Sequence, residues 1–516
     1  MATATLLRYL PLLLLCLLGS ALLWLKPPRE LSAALVLAGY AGLCLWAWLS
    51  RRQSAVDDRT EGVLIAYASQ SGQAQQLAQR SLLQLQGAGV AAYLRPLDQL
   101  NPEQLPAQLL LILSTYGEGE APDNGARFAR LLKHSQTDLS QVHYAVLALG
   151  DRHYTHFCAF GLDIDAQLAR LNGQRLFSPI SADQCDATSL LLWQQQLARL
   201  SGQTEFSPWQ AAPWVNAKLT QRRCLNPNSR AAKVFEIQLQ ASAELAQWQA
   251  GDLLEVLPQQ AAEPLRDKLS ALGLDPQQRL NDGRSLLDHA LEREWPADFP
   301  SEQAGALNAQ TLLAHLPKLS PRLYSIASLP RDASVQLLVR QLEHRDGSLG
   351  LGSGWLSVYA ALDTPVQVRL RPNPSFHGPA ANTPLLLIGN GTGLAGLRAH
   401  LRERPSGSRN WLIFGERSRA SDFIGATELL DWQASGHLAR LDLAFSQDQT
   451  DKVYVQHLLR QQADTLREWL ADGAAIYLCG SLQGMGEAVH ALLIELLGSQ
   501  QVSELQAQNR YRRDLY

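Results

Sequence analysis

Several short runs in this chain have the residue types and spacing to hold phosphates and planar rings. Ser69-Gln70-Ser71-Gly72-Gln73-Ala74 places hydroxyls and a glycine directly after the apolar run Gly62 to Ala68. A strand that turns through small residues into a helix offers free N–H groups and a positive dipole end to an anion, with Ser69 and Ser71 as further donors. Taken singly, the same residues also fit plain helix capping. Two related runs follow, Ser114-Thr115-Tyr116-Gly117-Glu118-Gly119-Glu120 and Leu149-Gly150-Asp151-Arg152-His153-Tyr154-Thr155-His156-Phe157. Each comes after an apolar strand-like segment, Leu109 to Leu113 and Tyr144 to Leu149. In a doubly wound sheet, ligands sit beyond the carboxyl ends of the strands, so the three loops converge there. Tyr116 and Tyr154 then bring two aromatic faces able to sandwich a planar isoalloxazine ring.

The second half carries different chemistry. Pro321-Arg322-Leu323-Tyr324-Ser325-Ile326-Ala327-Ser328 supplies a guanidinium for a pyrophosphate, a ring for stacking and a hydroxyl for a reactive edge. Gly350-Leu351-Gly352-Ser353-Gly354 is small enough for close backbone approach. The apolar run Pro384 to Ile388 opens into Gly389-Asn390-Gly391-Thr392-Gly393-Leu394-Ala395-Gly396, a glycine-rich turn between strand and helix as a dinucleotide site requires. Further strands end at Phe414-Gly415, Phe445-Ser446 and Cys479-Gly480.

Taken in order, these motifs resemble the diflavin reductase family, typified by the sulfite reductase flavoprotein subunit and microsomal NADPH–cytochrome reductase. The resemblance runs from about residue 61 to the end. It implies that Ser69, Gln70, Ser71, Gly72, Gln73, Ala74, Ser114, Thr115, Tyr116, Gly117, Leu149, Gly150, Asp151, Tyr154 and Phe157 bind FMN. It implies that Arg322, Leu323, Tyr324, Ser325, Gly350, Gly352 and Ser353 bind FAD. Gly391, Thr392, Gly393, Arg417, Ser446, Gln447, Lys452, Tyr454 and Gln456 match the NADPH positions. Ser325, Cys479 and Asp514 match the trio that lines hydride transfer, and Tyr516 matches the terminal aromatic that stacks on the FAD ring. The family usually has Arg where this chain has Gln447, Pro-Phe where it has Gly396-Leu397, and an acidic residue where it has Ser481.

The elements that must position these residues follow from periodicity. An α/β flavodoxin-like domain is expected at 61–201 and a linker at 202–212. Beyond it the period drops to two, with Phe235, Ile237 and Leu239 alternating with polar residues, as do Val366, Val368 and Leu370. An antiparallel barrel is therefore expected, and the resemblance makes it the FAD domain at 213–375, with a helical connecting insertion at about 258–318 shorter than the family's. An α/β NADP domain is expected at 383–516. For the free terminus itself, disorder is the default expectation.

Residues 1–52 are of a different composition. Tyr9 to Leu25 and Leu31 to Ser50 carry no charge, with Lys26-Pro27-Pro28-Arg29 between them and Arg51-Arg52 behind. Each run reaches the length of roughly 17–20 apolar residues needed to span a bilayer. A cleaved signal peptide or a buried core helix are the competing readings. A two-helix transmembrane hairpin is preferred, with Arg51-Arg52 keeping the soluble domains on the cytoplasmic side of the inner membrane.

A net charge of −3 gives no reason to expect nucleic acid. The six cysteines include no C-x-x-C pair, which argues against a disulfide framework, a zinc site or an iron–sulfur cluster. The expected activity is NADPH to FAD to FMN to a one-electron acceptor: a sulfite reductase-like haemoprotein, another haem protein or a ferric chelate. A membrane redox sensor or assembly scaffold with weak turnover is the alternative.

Overall fold

The computed structural model describes residues 62–70, 72–152, 154–209, 213–240, 245, 247–296 and 308–516. The expected membrane hairpin at 1–52, and Ser71 of the first loop, lie outside the described residues. Among the described residues no helix is long and apolar enough to cross a membrane.

Three sheets carry the chain. The first is parallel, in the order β2-β1-β3-β4-β5 with β6 also on β4. Its strands are Val63–Ala68 (β1), Ala92–Pro96 (β2), Gln108–Ser114 (β3), His143–Gly150 (β4), Gln174–Arg175 (β5) and Ile180–Asp183 (β6). The centre of β3, Leu109 to Leu113, is fully buried, as expected of a strand covered on both faces. Helices Gln73–Gly87 (α1) and Ala187–Leu200 (α2) pack on one side, where Trp193 is buried and donates to Ser81 Oγ at 3.0 Å. This is the flavodoxin-like arrangement expected for 61–201. Part of the expected linker is tied to it, since Ser207 O accepts from Gln84 and Gln194.

The second sheet is antiparallel, in the order β10-β9-β12-β7-β8-β11. It comprises Val215–Cys224 (β7), Val234–Gln240 (β8), Leu253–Val256 (β9), Arg322–Ser325 (β10), Ser334–Arg340 (β11) and Pro365–Arg371 (β12). Ile326 bridges Leu337, so the first strand of the path meets the last and the sheet closes into a barrel. The period-two reading holds for Val366 and Val368 but not throughout β8. Glu236, expected on the solvent face, is buried between Arg398 and Arg223 at 3.1 and 2.8 Å. The charge is buried because it joins the barrel to a helix of the next domain. The short insertion holds helices Ala262–Ala271, Leu286–Leu291 and Ala309–His315 around their own small core of Leu265, Leu269, Leu286 and Leu312.

The third sheet is parallel, in the order β15-β14-β13-β16-β17. Its strands are Leu385–Asn390 (β13), Asn410–Glu416 (β14), Arg440–Phe445 (β15), Ala475–Gly480 (β16) and Tyr511–Leu515 (β17). The last strand was not foreseen. It pairs with β16 in the register Cys479↔Asp514 and Gly480↔Leu515, so the C-terminus is an ordered edge strand.

Candidate functional site

At the carboxyl edge of the first sheet, Gly72 precedes α1 with φ +76°, a backbone that glycine adopts without strain. Gly72 has no side chain to cap this helix, and Ser69 Oγ accepts from the first-turn Ala74 N at 3.2 Å. The second and third loops are stitched together, with Thr115 N donating to Leu149 O at 2.9 Å and Thr155 N to Glu118 at 3.2 Å. The two tyrosines differ in setting: Tyr154 is 50% exposed and Tyr116 only 9%. The Tyr116 hydroxyl is buried with no hydrogen-bond partner among the described residues. Burial pushes this phenol well above the usual range.

A cavity of about 1670 Å³ lies between the barrel and the third sheet. Leu323, Tyr324 and Ser325 of β10 line one wall, and Gly391 and Thr392 of the glycine-rich turn line another. Gly352 backs the barrel wall: a Cβ there would stand 2.7 Å from Arg322 Cγ and 2.8 Å from the Tyr324 hydroxyl. Ser353 Oγ accepts from Leu342 N at 3.0 Å and holds the small-residue turn in place. The turn Gly391–Gly393 leads into helix Leu394–Glu403, which no side chain caps. Gly391 has φ +55°, and a Cβ on Gly393 would lie 2.1 Å from Cys479 O. Glycine is thus required there for the turn to reach β16. Gln456 Oε1 is buried without a partner among the described residues and lines the same cavity. A pair of ring-bearing, phosphate-bearing ligands fits this lining. Tyr116 packs in an apolar cluster with Met485 and Leu515, so of the two tyrosines expected to sandwich a ring only Tyr154 presents an exposed face.

The expected trio meets at the back of this cavity. Ser325 Oγ donates to Asp514 Oδ2 at 2.7 Å, and Cys479 Sγ lies 3.6 Å from the same oxygen. Burial raises both groups, the Asp514 carboxyl above its ordinary value of 3.8 and the Cys479 thiol well above its own, with Asp514 adding to the latter. Cys479 is therefore an inert thiol here, not a nucleophile. Tyr516 is 59% exposed, and its hydroxyl donates to Thr392 Oγ1 at 3.0 Å across the glycine-rich turn.

At the far end, Arg417, Ser446, Tyr454 and Gln456 line the cavity. Gln447 N donates to Arg417 O at 2.7 Å, tying the two loops together. Lys452 is exposed, next to the cavity-lining Val453. The stretch around it is loop before helix Val455–Gln461, in which Val453 and Tyr454 line the cavity.

The loops around Tyr116 also pack on the other two domains. Arg513 Nε donates to Asp123 Oδ2 at 3.0 Å, with a second contact to Oδ1. Gln70 bridges them, donating to Asp123 at 3.1 Å and to Arg513 O at 2.9 Å. A Cβ on Gly72 would meet Pro374 Cδ at 2.9 Å, and Ser375 Oγ donates to Gln70 O.

Sequence reasoning assigned no role to Asp123, Arg513, Arg340, Glu416 or Asn390. Arg340 ends β11 and reaches Glu416 at the end of β14, 3.2 Å away. Asn390 donates to Ser481 Oγ and accepts from Ser481 N, each at 3.0 Å, which explains how Ser481 fits where an acidic residue was expected. No local pattern marks these residues, because each acquires its partner from a different domain or strand.

Comparison with known proteins agrees with this geometry. Residues 65–192 match the flavodoxin family model, and residues 387–491 match the oxidoreductase NAD-binding domain model. The chain is 31% identical to a sulfite reductase (NADPH) flavoprotein alpha-component of Vibrio cholerae, over 88% of this chain and 87% of that protein. Similar proteins of the same description occur in Shewanella sp. (strain MR-7), at 30% over 88% of this chain and 89% of that protein, and in Mannheimia succiniciproducens, at 27% over 89% and 91%.

Proposed function

Because the chain belongs to the family of sulfite reductase (NADPH) flavoprotein alpha-components, we propose that it is an NADPH-dependent diflavin reductase that delivers electrons singly to an acceptor. The observation that carries this reading is the meeting of Ser325, Cys479 and Asp514 beneath Tyr516 at one end of the large cavity. When bound, NADPH supplies a hydride, FAD takes its electron pair, and FMN releases the electrons one at a time.

The chain's own residues bind, orient and stabilise charge. Arg322 and Gly352 offer the pyrophosphate side of the FAD site a guanidinium and a close backbone. Tyr324 and Tyr516 line the cavity and would offer ring faces to a bound flavin. Ser325 and Cys479 hold the Asp514 carboxylate in place, a negative charge that would offset positive charge developing on a bound nicotinamide. Tyr516 is exposed and held by its bond to Thr392, and rotation of its side chain would open the flavin face to a nicotinamide. Arg417 and Ser446 form the end that receives the 2′-phosphate, with Lys452 beside them on the surface.

Two further elements belong to the same reading. Residues 1–52 form a two-pass anchor in the cytoplasmic membrane, supported by two uncharged runs of spanning length. The acceptor is then a haem protein or ferric chelate reached at that membrane, with a sulfite reductase haemoprotein as the family's alternative. Deleting residues 1–52 is expected to abolish membrane recovery and lower acceptor reduction in cells; full retention of both removes the anchor from the account.

The decisive experiment is to purify the full chain in detergent, release and quantify the flavins, and measure NADPH oxidation with an artificial acceptor. One FMN and one FAD per chain with rapid turnover is expected. A stoichiometric flavoprotein that fails to turn over points instead to a redox sensor or scaffold.

A further inference from the structure

Glu416 is a buried carboxylate on the wall of an anion site. Its side chain is 4% exposed, and it stands at the carboxyl end of β14, beside the strand that opens into the Gly391–Gly393 turn. The N–H groups of that turn and the positive end of the helix behind it favour a diphosphate. A fixed negative charge there opposes the ligand the site is built for. A Cβ added to Gly391 would lie 2.7 Å from Arg340 Nη2 and 3.7 Å from Glu416 Oε1, so both groups stand over the turn itself. The Arg340 guanidinium is the ion-pair partner of Glu416, at 3.2 Å, and comes from the barrel, 76 residues away in sequence. Burial raises the Glu416 carboxyl, Arg340 opposes that shift, and Asp422 adds to it. One guanidinium therefore faces two claims: the carboxylate that holds it, and any diphosphate placed on the turn.

We propose that Glu416 is a tuning residue of the dinucleotide site, its buried carboxylate competing with the nucleotide diphosphate for Arg340 and so setting how quickly the oxidised nucleotide leaves. The inference rests on the dinucleotide reading given above. Its physical basis is simple: a carboxylate within reach of the same cation weakens the anion's hold, and release after hydride transfer is faster for it. A purely structural role, pinning the barrel to the third sheet, makes the opposite prediction for binding. Loss of the pin then loosens the site.

The test is NADP+ binding to the full flavin-loaded chain by titration calorimetry, with dissociation rates by stopped flow. Glu416→Gln is expected to tighten NADP+ by about five- to tenfold, mostly through slower dissociation. Arg340→Gln is expected to weaken it, and the gain from Glu416→Gln is expected to shrink in the Arg340→Gln background. Unchanged or weaker binding by Glu416→Gln, in a variant with wild-type flavin content and melting temperature, overturns the proposal. A melting temperature that falls along with weaker binding assigns Glu416 to the structural role, which also overturns it. Failure of the wild-type chain to bind NADP+ at all refutes the dinucleotide reading instead, so the two failures are distinguishable.

Discussion

Asp123 and Arg513, 390 residues apart in sequence, form a two-contact ion pair that fastens the first sheet's domain to the C-terminal strand. The next residue on that strand, Asp514, faces the other way and meets Ser325 and Cys479. One strand thus serves both the loop around Tyr116 and the hydride-transfer trio.

Asp123→Asn leaves the Arg513 guanidinium largely buried without its counter-charge, a defect that typically costs about 3–5 kcal/mol when a buried pair is broken. The expected outcome is a loosened first domain: faster proteolysis of the 202–212 segment and a larger radius of gyration in solution scattering. Flavin reduction by NADPH in single turnover is expected to stay within about twofold, since the trio is untouched.

Asp514→Asn keeps the shape and removes the charge. Flavin reduction is expected to slow by about a hundredfold, the scale for loss of one preorganised electrostatic group, with flavin content intact. Full-rate reduction in this variant would remove Asp514 from the mechanism.

The same substitution has a pH signature. Burial raises the folded-state value of Asp514 above 3.8, so the folded chain binds this proton more tightly than the unfolded chain does. Stability from this group is present below pH 3.8 and is lost as pH rises through the raised value. The melting temperature of Asp514→Asn relative to wild type is therefore expected to climb across that window and level off above it. A difference that does not change with pH contradicts the assignment.

Gly352→Ala drives a methyl group into Arg322 Cγ at 2.7 Å and the Tyr324 hydroxyl at 2.8 Å. Purified protein is expected to lose FAD while retaining FMN, which flavin analysis reads directly. Equal loss of both would place the defect in folding.

Gln447→Arg adds a cation beside Ser446 and Arg417, at the end of the cavity where Lys452 points to solvent. The KM for NADPH is expected to fall about tenfold while that for NADH is unchanged, as a charge-assisted contact to the 2′-phosphate would give. An equal change for both nucleotides rules out a 2′-phosphate contact.

Much of this arrangement was legible in the residues. Apolar runs ending in Ser/Gly or Gly-x-Gly turns mark the ligand edge of a parallel sheet, because only there do free N–H groups meet an incoming phosphate. Gly391 is explained locally by its φ, whereas Gly393 is required by its approach to Cys479, which only the folded sheet shows. The trio was legible only through family resemblance, since nothing in the spacing of Ser325, Cys479 and Asp514 makes them neighbours.

What the amino-acid sequence determined by itself is most of the elements and the loops that end them, the C-terminal strand excepted, because periodicity and turn chemistry act over a few residues. Tertiary structure alone decided which charges pair. Glu236 is buried because a helix 162 residues later brings Arg398 to it. The C-terminal residues form a strand because β16 offers an open edge, and that edge aims Arg513 at one domain and Asp514 at the hydride centre. Ion pairs and edge strands depend on partners far along the chain, and such partners carry no local pattern to be read in advance.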